Sequence, residues 1–332
     1  MAGGAAMKYL ELKSIFAPVI LRFVEFKRSQ GYSYSGKAQL YRLQGLDRVA
    51  NDLQWTSPYL DSVFFTAYSD SLKGMTVEGR YPHLSSLLNF SRYLHRHNPN
   101  SEVYMQPIHR SKAAPGHIYS EQEIQQLLTA SSNFISECRA HSFTTMLALM
   151  SVTGLRPGEA VNLNIEDFDP RRGTLFIRNS KLGKDRLIPL AASTVNGLSR
   201  YLDSRDQLSV NARSHNTLFL NCLGMPLLLP CAESVFRQLL KTTGVKGHSK
   251  RRPRLHDWRH TFAVNCLVRW HREGVDVNAR LPVLATYLGH VGIRETQYYL
   301  QATPELMASA VHRLCEYIDI NRSSIHTEVP HV

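Results

Sequence analysis

The 332-residue chain lacks any run of the roughly 18 to 20 uninterrupted apolar residues that a membrane-spanning helix needs. Its opening, MAGGAAMKYLELKS, has no basic head followed by an apolar core and so does not read as a secretory signal; a cytoplasmic protein with no membrane partner is expected. Cysteine is scarce. The five, at 138, 222, 231, 266 and 315, are odd in number and never form C-x-x-C, which argues against a disulfide framework or a zinc ribbon and leaves them as small core residues. Fixed-period repeats and low-complexity tracts are missing as well. With 43% hydrophobic and 20% charged residues the composition is ordinary and globular, excluding disorder and fibre, and the length suggests two domains.

Acidic residues are in deficit: 27 Asp and Glu stand against 39 Lys and Arg, a formal net charge of +12. A chain this basic favours a polyanion, because each phosphate it neutralises releases a condensed counterion. Residues 1–116 hold 14 basic and 8 acidic side chains and residues 117–332 hold 25 and 19, so the excess is shared evenly. Both parts are therefore expected to touch the polyanion, with nucleic acid the leading candidate; an acidic protein partner is the competing reading of the same charge.

Periodicity divides the chain. Leu84, Leu87, Leu88, Ser91 and Leu94 follow the i, i+3, i+4, i+7 stripe of an amphipathic helix, and 15–29, 36–51 and 58–70 also read as helical, the last opened by Ser57 as cap and Pro58 at the first helical position. The stretch SEVYMQPIHRSKAAPGH then loses periodicity and gains prolines, glycine and bases. This gives a helical domain over 1–105, a linker over 106–116 and a second domain over 117–320, with a flexible tail at 321–332. Ser120 and Glu123 form a capping box, with Tyr119 and Ile124 as a hydrophobic staple, ahead of EQEIQQLLTA. Phe143, Met146, Leu147 and Met150 mark a helix stopped by Gly154, after which TLFIR and RLIPL switch to strand character around the basic loop NSKLGKD. Helices are predicted at 194–204, 231–242, 256–270, 277–288, 294–300 and 304–318. The fold class is mainly α with a small β-sheet.

Four clusters carry candidate chemistry. In TGLRPGEAVNL, Arg156 stands between a helix stop and a helix opened by Pro157, where backbone N–H groups and a guanidinium can face one anion. Taken alone, such an arginine is as well explained as a solvated residue or a partner for Glu159. In NSKLGKDR, Lys181 and Lys184 sit in the hairpin loop, where a lysine is ordinarily solvated. In HDWRH, His256, Arg259 and His260 lie at i, i+3 and i+4 behind the basic run Lys250, Arg251, Arg252 and Arg254. Two histidines four apart resemble a zinc pair, but Asp257 replaces the zincin glutamate and Arg259 would set a fixed charge beside the metal, so no metal is expected and a phosphodiester suits the face better. His260 alone reads equally as a core residue. In YLGHVGIRETQYYL, His290 follows the helix stop Gly289 and Tyr299 stands nine residues on, with Tyr298 beside it; either tyrosine alone reads as packing.

In this order the clusters resemble the tyrosine recombinase (phage integrase) superfamily across 117–320. FVEFKRSQGYS and LLNFSRYL are loosely similar to its helical core-binding domain, and ARLPVLATYLGH and YYLQATPELMA to recombinases of mobile elements encoded in adjacent trios. Trp258 departs from the pattern, standing where the family commonly has an aliphatic residue. The resemblance implies a helical SAM-like core-binding domain, an α+β integrase-type catalytic domain and a site-specific DNA recombinase. Its catalytic set would be Arg156, Lys181, His256, Arg259, His290 and Tyr299, with Lys250, Arg251, Arg252 and Arg254 on the DNA.

The implied chemistry is physically coherent. In-line attack on a phosphodiester needs cations to hold the extra charge of a pentavalent transition state, which Arg156 and Arg259 would supply with a hydrogen bond from His290. A phenol of pKa about 10 needs an acceptor such as His256, and the departing 5′ oxygen needs a donor such as Lys181. A 3′-phosphotyrosyl link through Tyr299 stores the broken bond, so no ATP, metal or other cofactor is expected. The resemblance also implies double-stranded DNA as the partner and a homotetramer of subunits on paired DNA sites, alone or with sister recombinases. A type IB topoisomerase and a catalytically silent DNA-binding regulator are the alternatives.

Overall fold

The computed structural model describes residues 11–32, 34, 37–109, 116–180, 184–207, 211–247, 251–290 and 292–297. The chain divides into two compact units, Met1–Ala113 and Ala114–Val332.

The first unit is helical: α1 (Ala17–Ser29), α2 (Lys37–Asp52), α3 (Ser62–Ser71) and α4 (Val77–His97). Its core is aromatic. Phe16, Phe23, Phe64 and Phe90 are buried, and their rings meet edge to face, Phe23 and Phe90 at 5.5 Å and Phe16 and Phe64 at 5.9 Å, the arrangement that the aromatic quadrupole favours. The stripe on α4 turns inward as predicted, with Leu87, Ser91 and Leu94 buried.

The start of α3 differs from the expectation. Asp61, not Ser57, caps it, its carboxylate accepting the N–H groups of Val63 and Phe64, while Pro58 stays outside the helix. The reason is a long-range tie: fully buried Leu60 donates its N–H to Ser101 Oγ at 3.0 Å and accepts from the Glu102 N–H at 2.7 Å, which keeps Leu60 out of the helix. That tie, with the Tyr104 N–H on Ser91 Oγ, draws the first residues of the linker-like stretch into this unit's core.

The second unit opens with the capping box Ser120–Glu123 ahead of α5 (Glu121–Ser132). Next comes α6 (Glu137–Thr153), buried on nearly every side and packed by α5, α8 and α10, so it forms the axis of the unit. The order continues with α7 (Pro157–Val161), β1 (Phe168–Asp169), β2 (Thr174–Ser180), β3 (Lys184–Pro189), α8 (Ala192–Arg205), α9 (Leu229–Thr243), α10 (Asp257–Arg272), α11 (Val277–Leu288) and α12 (Ile293–Gln297). The strands form an antiparallel sheet in the order β1-β2-β3, the short β1 being unforeseen. Register pairs Leu175 with Ile188 and Ile177 with Arg186. Strand alternation therefore buries Leu175, Ile177 and Ile188, leaves Leu187 exposed, and puts Arg186 on the inner face beside Ile188. The segment predicted as a helix at 304–318 lies outside the described residues.

Between α8 and α9 the chain is held by several buried side chains: the Tyr201 hydroxyl donates to the Leu218 carbonyl at 2.9 Å, Ser142 Oγ accepts the Leu220 N–H at 2.7 Å, and Arg205 makes the largest set of bonds. Arg205 is 1% exposed and donates to the carbonyls of Leu218, Ala212, His215 and Thr217 and to Asp206. A guanidinium supplies five donors in one plane, and here they meet four backbone acceptors, of which Leu218 also accepts from the Tyr201 hydroxyl and Ala212 from the His215 N–H.

Candidate active site

The site begins where α6 stops. Gly154 takes φ +62 and turns the chain, Leu155 is fully buried, and Arg156 caps α7 with Pro157 in its first turn. The Arg156 N–H donates to Glu159 Oε2 at 2.9 Å and its Nη1 to Glu159 Oε1 at 2.7 Å, while Nη2 reaches the Gly289 carbonyl at 3.2 Å. Arg186, from the inner face of β3, forks the same carboxylate, Nη1 to Oε1 at 2.9 Å and Nη2 to Oε2 at 2.7 Å. Burial by itself would raise the Glu159 pKa; the hydrogen bonds and charge of Arg186, and then of Arg156, overcome it and hold the carboxyl at about 2.

Arg259 lies one turn into α10 and is 1% exposed. Its Nη1 donates to the Gly154 carbonyl at 3.0 Å and its Nη2 to the Leu288 carbonyl at 2.5 Å. These acceptors belong to the C-terminal ends of α6 and α11, where unsatisfied carbonyls and the helix dipole both favour a cation. Arg156 and Arg259, far apart in sequence, thus bind carbonyls of the adjacent residues Gly289 and Leu288.

The turn after α11 places the next group. Gly289 is left-handed, and the His290 N–H closes on the Ala285 carbonyl at 2.9 Å. The His290 ring bonds through Nδ1 to Thr296 Oγ1 at 2.7 Å. Thr296 is fully buried on α12, three residues before Tyr299, so this bond ties the histidine turn to the segment leading to the tyrosine.

His256 precedes α10 on the same end as Arg259, its ring edge-on to His260 with centroids 5.2 Å apart. Burial pulls its pKa down to about 4, with the neighbouring His260 and Arg259 adding to the effect. His260 is lowered to about 4 as well, by burial first, with Asp257 opposing and Arg254 reinforcing. Both imidazoles are therefore neutral at pH 7. Among the described residues no group of three or more His, Cys, Asp or Glu side chains is placed to hold a metal ion. Behind them Asp257 is fully buried and accepts the Arg254 N–H at 2.8 Å and Nη2 at 3.0 Å, which fixes the approach to α10. Trp258 fills the core against Tyr119 and Phe236, which accounts for a large ring where an aliphatic residue is usual.

The structure brings Arg156, Arg259, His256 and His290 to one end of the second unit. Lys181, Tyr298, Tyr299 and Lys250 lie outside the described residues. Of the remaining basic run, Arg252 is exposed, Arg251 is half-buried, and Arg254 is half-buried on Asp257. Sequence reasoning weighed Glu159 only as a partner for Arg156 and missed Arg186 and Thr296. The signal for Arg186 was the two-residue alternation of RLIPL, which puts positions 186 and 188 on one face.

Residues 118–305 match the phage integrase family. The chain is 39% identical over 309 residues to an integrase/recombinase of Sinorhizobium fredii, y4rB, the match covering 91% of this chain and 97% of that protein. It is 28% identical over 282 residues to the tyrosine recombinase XerC of Oceanobacillus iheyensis, covering 82% of this chain and 84% of the relative. Its fold is similar to the crystal structure of the XerH site-specific recombinase bound to a palindromic difH substrate, with a TM-score of 0.64 and 17% identity over 91% of this chain and 97% of that one.

Proposed function

This chain belongs to the phage integrase family of tyrosine recombinases and is a site-specific DNA recombinase, and we propose that it cuts and rejoins DNA through a 3′-phosphotyrosyl intermediate on Tyr299. The observation that carries the reading is the convergence of Arg156 and Arg259 on the ends of α6 and α11 beside His290. Two fixed cations and an imidazole at one point match the charge that develops on a phosphodiester under attack, and they are held before any phosphate arrives, by helix-end carbonyls, the Glu159 carboxylate and the Thr296 hydroxyl.

In this mechanism Arg156 and Arg259 bind the non-bridging oxygens of the scissile phosphate and His290 adds a hydrogen bond. His256, neutral at pH 7, accepts the phenolic proton of Tyr299 as its oxygen attacks phosphorus, and Lys181 from the β2–β3 hairpin protonates the departing 5′ oxygen. A second 5′-hydroxyl then reverses these steps and frees the tyrosine. No metal or cofactor enters. The first unit serves as the core-binding domain, the second as the catalytic domain, and the run at 250–254 lies along the DNA. We place the protein in the cytoplasm, in a mobile element, working as a tetramer on two paired sites, with or without sister recombinases.

The segment TPELMASAVHRLCEYIDI carries Leu306, Ala310, Leu314 and Ile318 at i+4 spacing, an apolar ridge suited to docking on a neighbouring subunit. An open cleft of about 1150 Å³ lined in part by Val152, Phe262, Trp270, Val283 and Tyr287 is the surface we assign to receive it; among the described residues, Arg156, His256, Arg259 and His290 do not line that cleft.

Tyr299→Phe tests the chemistry. It removes one oxygen and keeps the ring, so folding and DNA affinity hold while the denaturant-resistant protein–DNA band on a nicked suicide substrate vanishes; Tyr298→Phe keeps the band. The opposite pattern moves the nucleophile by one residue. A wild-type chain that relaxes supercoils without a preferred site points to the topoisomerase reading instead.

A further inference from the structure

We propose that Arg186 is a positioning residue for Arg156: by taking up the charge of Glu159 it leaves the Arg156 guanidinium a full net cation for the scissile phosphate. The inference rests on the recombinase mechanism above and concerns a residue outside its catalytic set. Arg156 and Glu159 alone form a contact pair, Nη1 to Oε1 at 2.7 Å, whose charges cancel at any distance that is large compared with their separation. A phosphate approaching that pair would meet a dipole and no net charge. Arg186 changes the count. Its fork occupies both oxygens of the same carboxylate, so two guanidiniums share one negative charge and the trio carries one net positive charge.

The placement is built in. Register sets Arg186 on the inner face of β3, its side chain only 10% exposed. A Cβ at Gly289 would lie 2.9 Å from Arg186 Nη1 and 3.3 Å from its Cδ, so the arginine rests against the very residue whose carbonyl accepts from Arg156. A buried arginine recruited only to neutralise a buried carboxylate would be redundant, since Arg156 already does so. The second guanidinium makes sense where the first has to keep its charge for something else.

The test uses the full chain and nicked duplexes recovered from a random-sequence pool by covalent capture on the wild-type protein. Adduct formation is timed on each recovered duplex with an ordinary scissile phosphate and with a methylphosphonate there, which is neutral and asks less of Arg156. Arg186→Met should slow the phosphate reaction about 10- to 100-fold, by analogy with residues that orient metal ligands, whose loss costs that much in activity. On the methylphosphonate the same variant should run close to wild type, and DNA affinity should change little. Arg186→Lys keeps the charge and should retain most of the rate; Glu159→Gln added to Arg186→Met returns the trio to one net positive charge and should recover part of it. Equal defects in the Lys and Met variants, or a Met defect of the same size on both substrates, overturn the proposal. Should the Met chain fail to fold, a folded Lys variant that forms no adduct overturns it too. If the wild-type chain captures no duplex at all, the phosphotyrosyl mechanism itself falls, an outcome separate from any failure confined to the variants.

Discussion

Gly154→Ala joins local backbone geometry to the cationic site. At φ +62 an L-residue is strained by roughly 1 to 2 kcal/mol. The added Cβ would also lie 2.4 Å from Phe262 Cδ1, closer than real carbons approach, and relieving that overlap costs about 1 to 3 kcal/mol. Gly244→Ala is the matched control: it ends α9 at φ +74, yet a Cβ there meets nothing within 4 Å. Both substitutions gain the same small term from a stiffer unfolded chain, of about 0.4 to 1 kcal/mol, so it cancels between them. The difference, about 1 to 3 kcal/mol, is the clash alone.

Urea unfolding followed by tryptophan fluorescence reads it, in a Trp55→Phe background so that the signal comes only from Trp258 and Trp270 of the second unit. With a slope of about 2 to 3 kcal/mol per molar urea, Gly154→Ala should unfold roughly 0.3 to 1.5 M earlier than Gly244→Ala. The clash also pushes on the residue whose carbonyl holds Arg259, so adduct formation at low urea should fall in Gly154→Ala and stay unchanged in Gly244→Ala. Equal midpoints for the two variants would refute the reasoning, since they would leave backbone strain as the whole effect.

Arg205→Met should destabilise the second unit by roughly 2 to 6 kcal/mol in the same assay, about 1 to 3 for each of the His215 and Thr217 carbonyls that lose their donor, while DNA affinity of the folded fraction stays put. His256 and His260 have folded pKa values near 4, below the ordinary 6.5, so the unfolded chain binds more protons between those values and stability should rise as pH climbs from about 4 to about 6.5; urea midpoints that stay flat across that window would contradict the burial of the pair. Neutralising Lys250, Arg251, Arg252 and Arg254 to Ala should weaken DNA binding and flatten its salt dependence, with an unaltered slope meaning that these charges meet no phosphate. A chain ending after Gln301 should bind a single site and lose synapsis of two; unchanged recombination by it would refute the docking of the C-terminal ridge.

What could be read from the sequence was local. The Ser120–Glu123 capping box, the stops at Gly154 and Gly289 and the change of period at TLFIR and RLIPL each depend on residues within one turn of one another, and each is present. What could not be read crosses the chain. Asp61 won the start of α3 because Leu60 is tied to Ser101 and Glu102, some forty residues on. Arg205 reads as a routine basic residue in a last helical turn, where cations are favoured anyway; only the fold shows it surrounded by the carbonyls of the loop that follows. Tyr104 stands in a stretch without periodicity because its buried partners lie far off in sequence, on α3 and α4.

The same distinction governs the two arginines. Read alone, Arg156 is either a partner for Glu159 or a ligand for an anion, and the two readings compete; in the structure they compete only if the carboxylate has no other cation. Arg259 meets the problem of a buried cation differently, since the carbonyls of Gly154 and Leu288 hold it with dipoles that carry no net charge. Arg156, fixed to a carboxylate through both its backbone N–H and its guanidinium, keeps its charge only because Arg186 supplies a second one. The two cations therefore differ in what their surroundings must provide: two helix ends for Arg259, and for Arg156 a strand register that brings a distant arginine onto the same carboxylate.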